Sequence, residues 1–331
     1  MIIENKMEHV KRDNIFKPIL RNEFSIKCVF VIILIFLISA NLKFIYFQES
    51  DYKVYEDSFY LDKYETYIYN NIKEKLLNAK CSYMWDNQRE FLNGAIRKFR
   101  PKKVLEIGPW EGGSSIIILN ALKDIPGSKL YSVDLYDKDL IGSCVPLHFK
   151  ELTKNWKLFK GNAIAKVIEN IGNNIDLVFL DSVHLEPGEI LQFLIVLPFL
   201  KEEAVVIFHD IANQITKSGR PGTRREWASY IIFNILKGKK YLPSGKGFLL
   251  KDIGAVKLEK NQKRYIYDYF RALGGQWQYF PKEIYIKITR DLIGAYYNSK
   301  CLQIFDEAVN FNRKFVKNNI LANTYFNFNS D

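Results

Sequence analysis

Two groups of side chains in this 331-residue chain have types and spacings that chemistry can use. The first is Glu106-Ile-Gly108-Pro-Trp-Glu-Gly112, followed 26 residues after Gly108 by Asp134. Glycines in such a turn let the backbone come close to a bound molecule. A carboxylate at the Asp134 spacing can accept hydrogen bonds from both hydroxyls of a ribose. A dinucleotide would fit that spacing too, but its pyrophosphate would meet Glu106 and Glu111, whose charges suit a cationic ligand better. The second group is Asp181, His184, His209 and Asp210. Two carboxylates offer oxygen ligands to a hard divalent ion such as Mg2+, and an ion held there lowers the pKa of a hydroxyl. An imidazole with an ordinary pKa near neutrality can take the hydroxyl proton. The structural alternatives are that Asp210 caps a loop and that His184 caps the following helix.

These residues need a scaffold that carries them to one rim, and the pattern of apolar residues supplies it. Buried-strand runs fall at Lys103–Ile107, Leu130–Asp134, Trp156–Gly161, Ile175–Asp181 and Ala204–Asp210, with helical stretches between most of them. Such alternation indicates a parallel sheet covered on both faces. Two last short strands, near Phe248–Leu250 and Ala255–Leu258, would add an antiparallel edge. The expected fold is α/β, a doubly wound and mostly parallel seven-stranded sheet. Ligands of such sheets bind beyond the carboxyl ends of the strands, where Gly108, Asp134, Asp181 and Asp210 all fall. Ahead of the first strand, residues 83–99 place Met84, Phe91, Leu92, Ala95, Ile96 and Phe99 at helical spacing, ending before Pro101.

Val104-Leu-Glu-Ile-Gly-Pro-Trp-Glu-Gly-Gly-Ser115, Tyr131-Ser-Val-Asp134, Gly161-Asn-Ala163, Asp176-Leu-Val-Phe-Leu-Asp181 and Val206-Ile-Phe-His-Asp210 occur in that order. Together they resemble the class I S-adenosylmethionine (SAM) methyltransferases, within them the catechol O-methyltransferase-like and cephalosporin-hydroxylase-like branches, which include sugar O-methyltransferases. The resemblance implies a Rossmann-like domain over 81–260 that moves a methyl group from SAM to a hydroxyl. It implies that Glu106, Gly108 and Gly112 shape the pocket around the methionine part of SAM, that Asp134 binds the ribose, and that Asn162 and Ala163 lie against the adenine. It further implies a divalent ion on Asp181 and Asp210, with His184 or His209 as the base. The sequence departs from the pattern around Asp210. The catechol type has an asparagine after it and the macrolide-sugar type a glutamate before it, whereas here the neighbours are Ile211 and His209, leaving His209 or Asn213 to fill the gap.

Hydrophobic residues at 48% and charged residues at 26% fit a folded protein with a core. The net charge of +11 is spread among acidic residues along the chain, so no nucleic-acid partner is expected. Cys28, Cys81, Cys144 and Cys301 show no paired spacing and no CxxC, so neither a disulfide framework nor a zinc site is expected. A basic segment, 1–24, precedes an apolar segment, 25–47, that is uncharged from Cys28 to Leu42 and reads as a transmembrane or membrane-anchoring helix flanked by Lys27 and Lys43. Six Lys or Arg in residues 1–27 against two in 43–62 put the N-terminus in the cytoplasm. A single crossing would then leave the catalytic domain on the far side, away from where SAM is made; either the charge rule fails here, the helix lies in the interface without crossing, or SAM reaches the other compartment.

Residues 48–80 read as a partly helical tether. Residues 261–331 read as a C-terminal helical extension that packs on the domain or on a second copy in a homodimer. The basic loop Lys217–Arg225 is either an anion site for the acceptor or solvated surface. The expected acceptor is a sugar, glycan or related small molecule. The rival functions are a non-catalytic, membrane-anchored SAM-binding scaffold and an oxidoreductase using a dinucleotide, the latter disfavoured by the acidic turn.

Overall fold

A computed structural model of the chain describes residues 62–66, 69–212, 227–244 and 252–318. The expected membrane helix over 25–47, the Phe248–Leu250 strand, Asn213 and the basic loop 217–225 lie outside the described residues. Among the described residues no helix is long and apolar enough to cross a membrane.

In chain order the elements are α1 (Asp62–Glu65), α2 (Tyr69–Asn78), α3 (Asp86–Phe99), β1 (Lys103–Ile107), α4 (Gly113–Leu122), β2 (Lys129–Val133), α5 (Cys144–His148), β3 (Trp156–Phe159), α6 (Ile164–Ile171), β4 (Ile175–Leu180), α7 (Gly188–Val196), β5 (Leu200–His209), α8 (Ala228–Ile235), β6 (Gly238–Tyr241), β7 (Ile253–Leu258), α9 (Ile266–Arg271), α10 (Glu283–Tyr296) and α11 (Ser299–Asn318). The seven strands form one sheet in the order β3-β2-β1-β4-β5-β7-β6. Strands β1 to β5 are parallel, and β7 runs antiparallel to both β5 and β6. Strand order reverses between β1 and β4, which makes the carboxyl ends of those two strands the natural ligand crevice.

Apolar side chains on both faces hold the central strands inside. Leu105, Val104, Leu177, Val178, Phe179, Val206 and Ile207 have almost no exposed surface. Helix α4 is buried along its whole length, as its Ile116-Ile-Ile-Leu119 run requires, because a helix apolar on every side has no face to give to water. Helix α2 sends Tyr69, Ile72 and Leu76 into the same core, so the folded body begins well before residue 81. Residues 69–78 of the stretch expected as a tether over 48–80 thus belong to the folded body.

Helix α3 starts at Asp86, later than the spacing from residue 83 suggested, because Gln88 reaches back to accept the Trp85 N–H at 2.7 Å and sets the first turn. The C-terminal helices pack on the domain itself: the Tyr297 hydroxyl donates to the Leu194 carbonyl, and the Tyr296 hydroxyl donates to Glu169 at 2.9 Å. Cys81 and Cys144 form a disulfide, with Cα atoms 5.9 Å apart. This overturns the expectation of unpaired cysteines: the fold joins positions 63 residues apart, which sequence spacing does not reveal.

Candidate cofactor and acceptor site

The glycine turn after β1 is shaped by close backbone contacts. Gly108 has φ +88°, and a Cβ there would lie 1.9 Å from the Asp181 carbonyl oxygen. Gly112 caps α4 at φ +100°, and a Cβ on Gly113 would lie 2.1 Å from the Cys81 carbonyl oxygen. The chain presses on the turn from two sides. On one side stands Cys81; on the other, Gly142 N–H donates to Trp110 at 2.6 Å and Cys144 N–H donates to Glu111 at 2.9 Å.

Asp134 follows β2, only 7% exposed. Its carboxylate accepts the N–H of Tyr136 at 2.9 Å and that of Trp110. Burial pushes its pKa up, and these two amides pull it partly back. The Asp134 carbonyl in turn accepts the Asn162 N–H at 3.0 Å, so Asn162 and the helix-capping Ala163 stand beside Asp134 at the end of β3. The sheet therefore gathers Gly108, Gly112, Asp134, Asn162 and Ala163 along the carboxyl ends of β1, β2 and β3.

Glu106 stands behind this rim. It has no exposed surface, and its carboxylate accepts hydroxyls from Ser114 and Ser115 at 2.6 Å and from Ser132 at 2.5 Å. Ser132 also receives the Trp156 indole N–H at 2.8 Å. Glu106 thus ties the first turn of α4 to β1 and β2, and holds the glycine turn from inside. Burial raises its pKa against the lowering effect of the three hydroxyls.

The acceptor-side residues meet at the ends of β4 and β5. His209 Nδ1 lies 2.9 Å from Asp181 Oδ1 and 3.4 Å from Asp210 Oδ1. His184 Nε2 lies 3.5 Å from Asp181 Oδ1 and 3.3 Å from Asp210 Oδ2. The four side chains are 13% to 19% exposed. His184 and Asp210 hold left-handed backbone, with φ of 57° and 56°. Such strain in residues other than glycine is concentrated at functional sites.

Burial alone would lower the His209 imidazole; the Asp181 and Asp210 carboxylates outweigh it and raise it to about 10. Burial is likewise outweighed at His184 by Asp210, Glu189 and Asp181, again upward. The cationic rings in turn hold the Asp181 carboxyl low despite its burial. The surrounding carboxylates thus hold both imidazoles more basic than a free imidazole. The donors fit a divalent ion: one carboxylate oxygen and two imidazole nitrogens, from Asp181, His184 and His209, lie within 4.8 Å of one another.

Sequence reasoning missed two further carboxylates. Asp252, just before β7, accepts the Ala212 N–H at 2.6 Å and is raised by burial and by the neighbouring Asp210. Glu189, in the first turn of α7, is fully buried beneath the His184 loop. Its position five residues after His184 was the available signal.

Residues 105–211 match the family model described as a methyltransferase domain. That stretch contains the glycine turn, Asp134 and the whole Asp181–Asp210 cluster. Over these residues the chain is similar to methyltransferase domains. Among solved structures it is similar to the O-methyltransferase TomG from Streptomyces achromogenes, involved in tomaymycin synthesis and solved with SAM (TM-score 0.44, 19% identity, 56% of this chain and 88% of that one). It is also similar to an O-methyltransferase from Bacillus cereus in complex with SAH (TM-score 0.43, 18% identity, 57% and 89%). A third similar structure is the SAH-bound Podospora anserina methyltransferase PaMTH1 (TM-score 0.42, 13% identity, 57% and 88%). No curated protein matches the sequence.

Proposed function

We propose that the protein transfers the methyl group of SAM to a hydroxyl of a sugar, glycan or related small acceptor, with a divalent ion assisting. One observation carries this reading. The Asp181 carbonyl packs directly on Gly108, and Asp181 N–H donates to the Ile107 carbonyl at 3.0 Å. The cofactor turn and the carboxylate–imidazole cluster are thus backbone neighbours, and a methyl donor on one would face an acceptor on the other. In-line transfer needs the reacting atoms about 3–3.5 Å apart, and the adjacency of the two backbones supports a reading in which donor and acceptor meet.

As the oxygen–methyl bond forms, the sulfur–methyl bond breaks, leaving SAH and a proton from the hydroxyl. Asp134 holds the ribose, and the glycine turn, braced by Glu106, admits the methionine part. Asn162 and Ala163 flank the adenine. The proton leaving the acceptor would pass to His184 or His209 in its unprotonated form or, where an ion occupies both rings, to Asp210 beside them. Asp181, His184 and His209, with Asp210 beside them, would hold a divalent ion, which would supply Lewis acidity that lowers the pKa of the hydroxyl. Imidazole ligands suit first-row transition ions, so Mn2+ belongs in the tests beside Mg2+.

For location, the reading is an N-terminal anchor with the catalytic domain on the non-cytoplasmic side. The six-to-two bias of basic residues across the apolar segment supports it. So does the Cys81–Cys144 bond, since disulfides persist in oxidising compartments.

The test is calorimetric titration of SAM into the full-length protein in detergent, with Mg2+, Mn2+ or neither, beside Asp134→Ala. Transfer of labelled methyl from SAM to glycan acceptors is followed by mass spectrometry. The expected result is SAM binding that Asp134→Ala loses, and methyl found on an acceptor oxygen. A folded protein that does not bind SAM refutes the reading. SAM binding without transfer to any hydroxyl favours the scaffold alternative.

A further inference from the structure

We propose that Glu189 is a positioning residue for the acceptor cluster: its buried carboxylate fixes the His184 loop and turns His184 Nε2 toward Asp181 and Asp210. Glu189 Oε1 accepts the His184 N–H at 2.7 Å and the Ser182 hydroxyl at 3.0 Å, and lies 3.5 Å from His184 Nδ1. One oxygen thus holds the backbone and faces the imidazole of the same residue. With Nδ1 on that side, Nε2 is left facing Asp210 at 3.3 Å and Asp181 at 3.5 Å. A carboxylate behind the second nitrogen of a functional imidazole fixes the ring's orientation and tautomer.

Stability alone does not account for this glutamate. The side chain has no exposed surface, and its Oε2 is buried without a hydrogen-bond partner. A buried carboxylate with an unsatisfied oxygen is costly, and an apolar residue of similar size serves packing better. What the carboxylate provides is control of a strained loop. His184 is held at φ 57°, a conformation that residues with a Cβ seldom adopt. The loop has no slack, since a Cβ on Gly188 would lie 2.2 Å from Val183 Cγ1. Releasing the Glu189 anchor frees His184 to leave this conformation and carries its ring away from the cluster.

The inference rests on the methyltransferase reading for its functional arm, and a second arm is independent of it. In the full-length protein, Glu189→Leu removes both contacts, whereas Glu189→Gln keeps an acceptor for the His184 N–H. Methyl transfer in Glu189→Leu should fall about 10- to 100-fold in kcat with SAM affinity unchanged, and Glu189→Gln should recover part of it. The independent arm is 15N NMR of histidine-labelled protein. The chain has four histidines, and His184→Gln identifies the resonance. The His184 ring nitrogens should shift in Glu189→Leu while SAM binding persists. Wild-type transfer in Glu189→Leu, or unchanged His184 resonances in both folded variants, overturns the proposal. Absence of transfer in the wild type bears on the methyltransferase reading, and the NMR arm then decides the role of Glu189.

Discussion

Replacing Cys81 and Cys144 by serine, or opening their bond with a phosphine reductant, releases a loop that holds the centre of the proposed cofactor site. The bond spans a sequence separation of 63, a stretch that carries α3, β1, the glycine turn, α4 and β2. In the chain-entropy account, closing a loop of that size removes about 14 cal/mol/K from the unfolded state, or about 4 kcal/mol at 25 °C. For a body of this size, roughly 2 °C of melting temperature accompanies each kcal/mol, which gives a drop of about 8 °C.

Cofactor affinity should fall as well, because both ends of the bridge lean on the turn: the Cys81 carbonyl against Gly113, and Cys144 N–H on the Glu111 carbonyl. The assay is thermal unfolding of the full-length protein with and without reductant. Cys301→Ser serves as a control for the buried free thiol, and SAM titration runs in parallel. A melting point that moves less than about 2 °C, with SAM affinity unchanged, would refute the argument that the bridge clamps the turn.

Other predictions follow from single contacts. Gly108→Ala puts a methyl group against the Asp181 carbonyl at a positive φ, so stability should fall by at least ~2 kcal/mol in a denaturant melt. SAM binding and methyl transfer should be lost together; a variant that melts like the wild type would show that the two half-sites are not in contact. Lys240 is pulled down to about 8 by burial and then by the charge of Lys237. Between that value and its unfolded pKa of 10.5, the unfolded chain binds more protons than the folded one, so stability rises with pH across this window. Discounted for the solvent that still reaches the group, the gain is about 1 kcal/mol. The difference between wild type and Lys240→Met in urea melts from pH 8 to 10.5 should display it, and parallel profiles would count against it.

The parts of the fold that a reader of the sequence can find are those where one strong local pattern decides. Lys103–Ile107 and Ile175–Leu180 are continuous apolar runs bounded by turns, and they became β1 and β4 with hardly a residue's difference. Strand β5 begins at Leu200, ahead of the expected Ala204, because Lys201-Glu-Glu203 looks like a loop. The sheet accommodates it with a register shift, Glu203 turning left-handed at φ 59°. Strand β6 occupies Gly238–Tyr241, where two lysines hide the pattern, and was not foreseen there.

The site divides in the same way. Glycine spacing and strand-end carboxylates exposed Gly108, Asp134, Asp181 and Asp210, since those residues sit where chain geometry fixes their place. Glu189 and Asp252 reach the cluster from the first turn of a helix and from the residue just before an antiparallel strand, and the disulfide joins the loop before α3 to the start of α5. Only the folded backbone makes such meetings visible.

The two borders of the sheet have a consequence for assembly. Strand β3, Trp156-Lys-Leu-Phe159, and strand β6, Gly238-Lys-Lys-Tyr241, have four residues each. Both present exposed lysine, Lys157 on one and Lys239 on the other. A bordering strand is an invitation for a foreign chain to hydrogen-bond alongside it, and brevity with positive charge withdraws the invitation. Among the described residues, these two edges therefore resist fusing the sheets of neighbouring copies into one continuous ribbon.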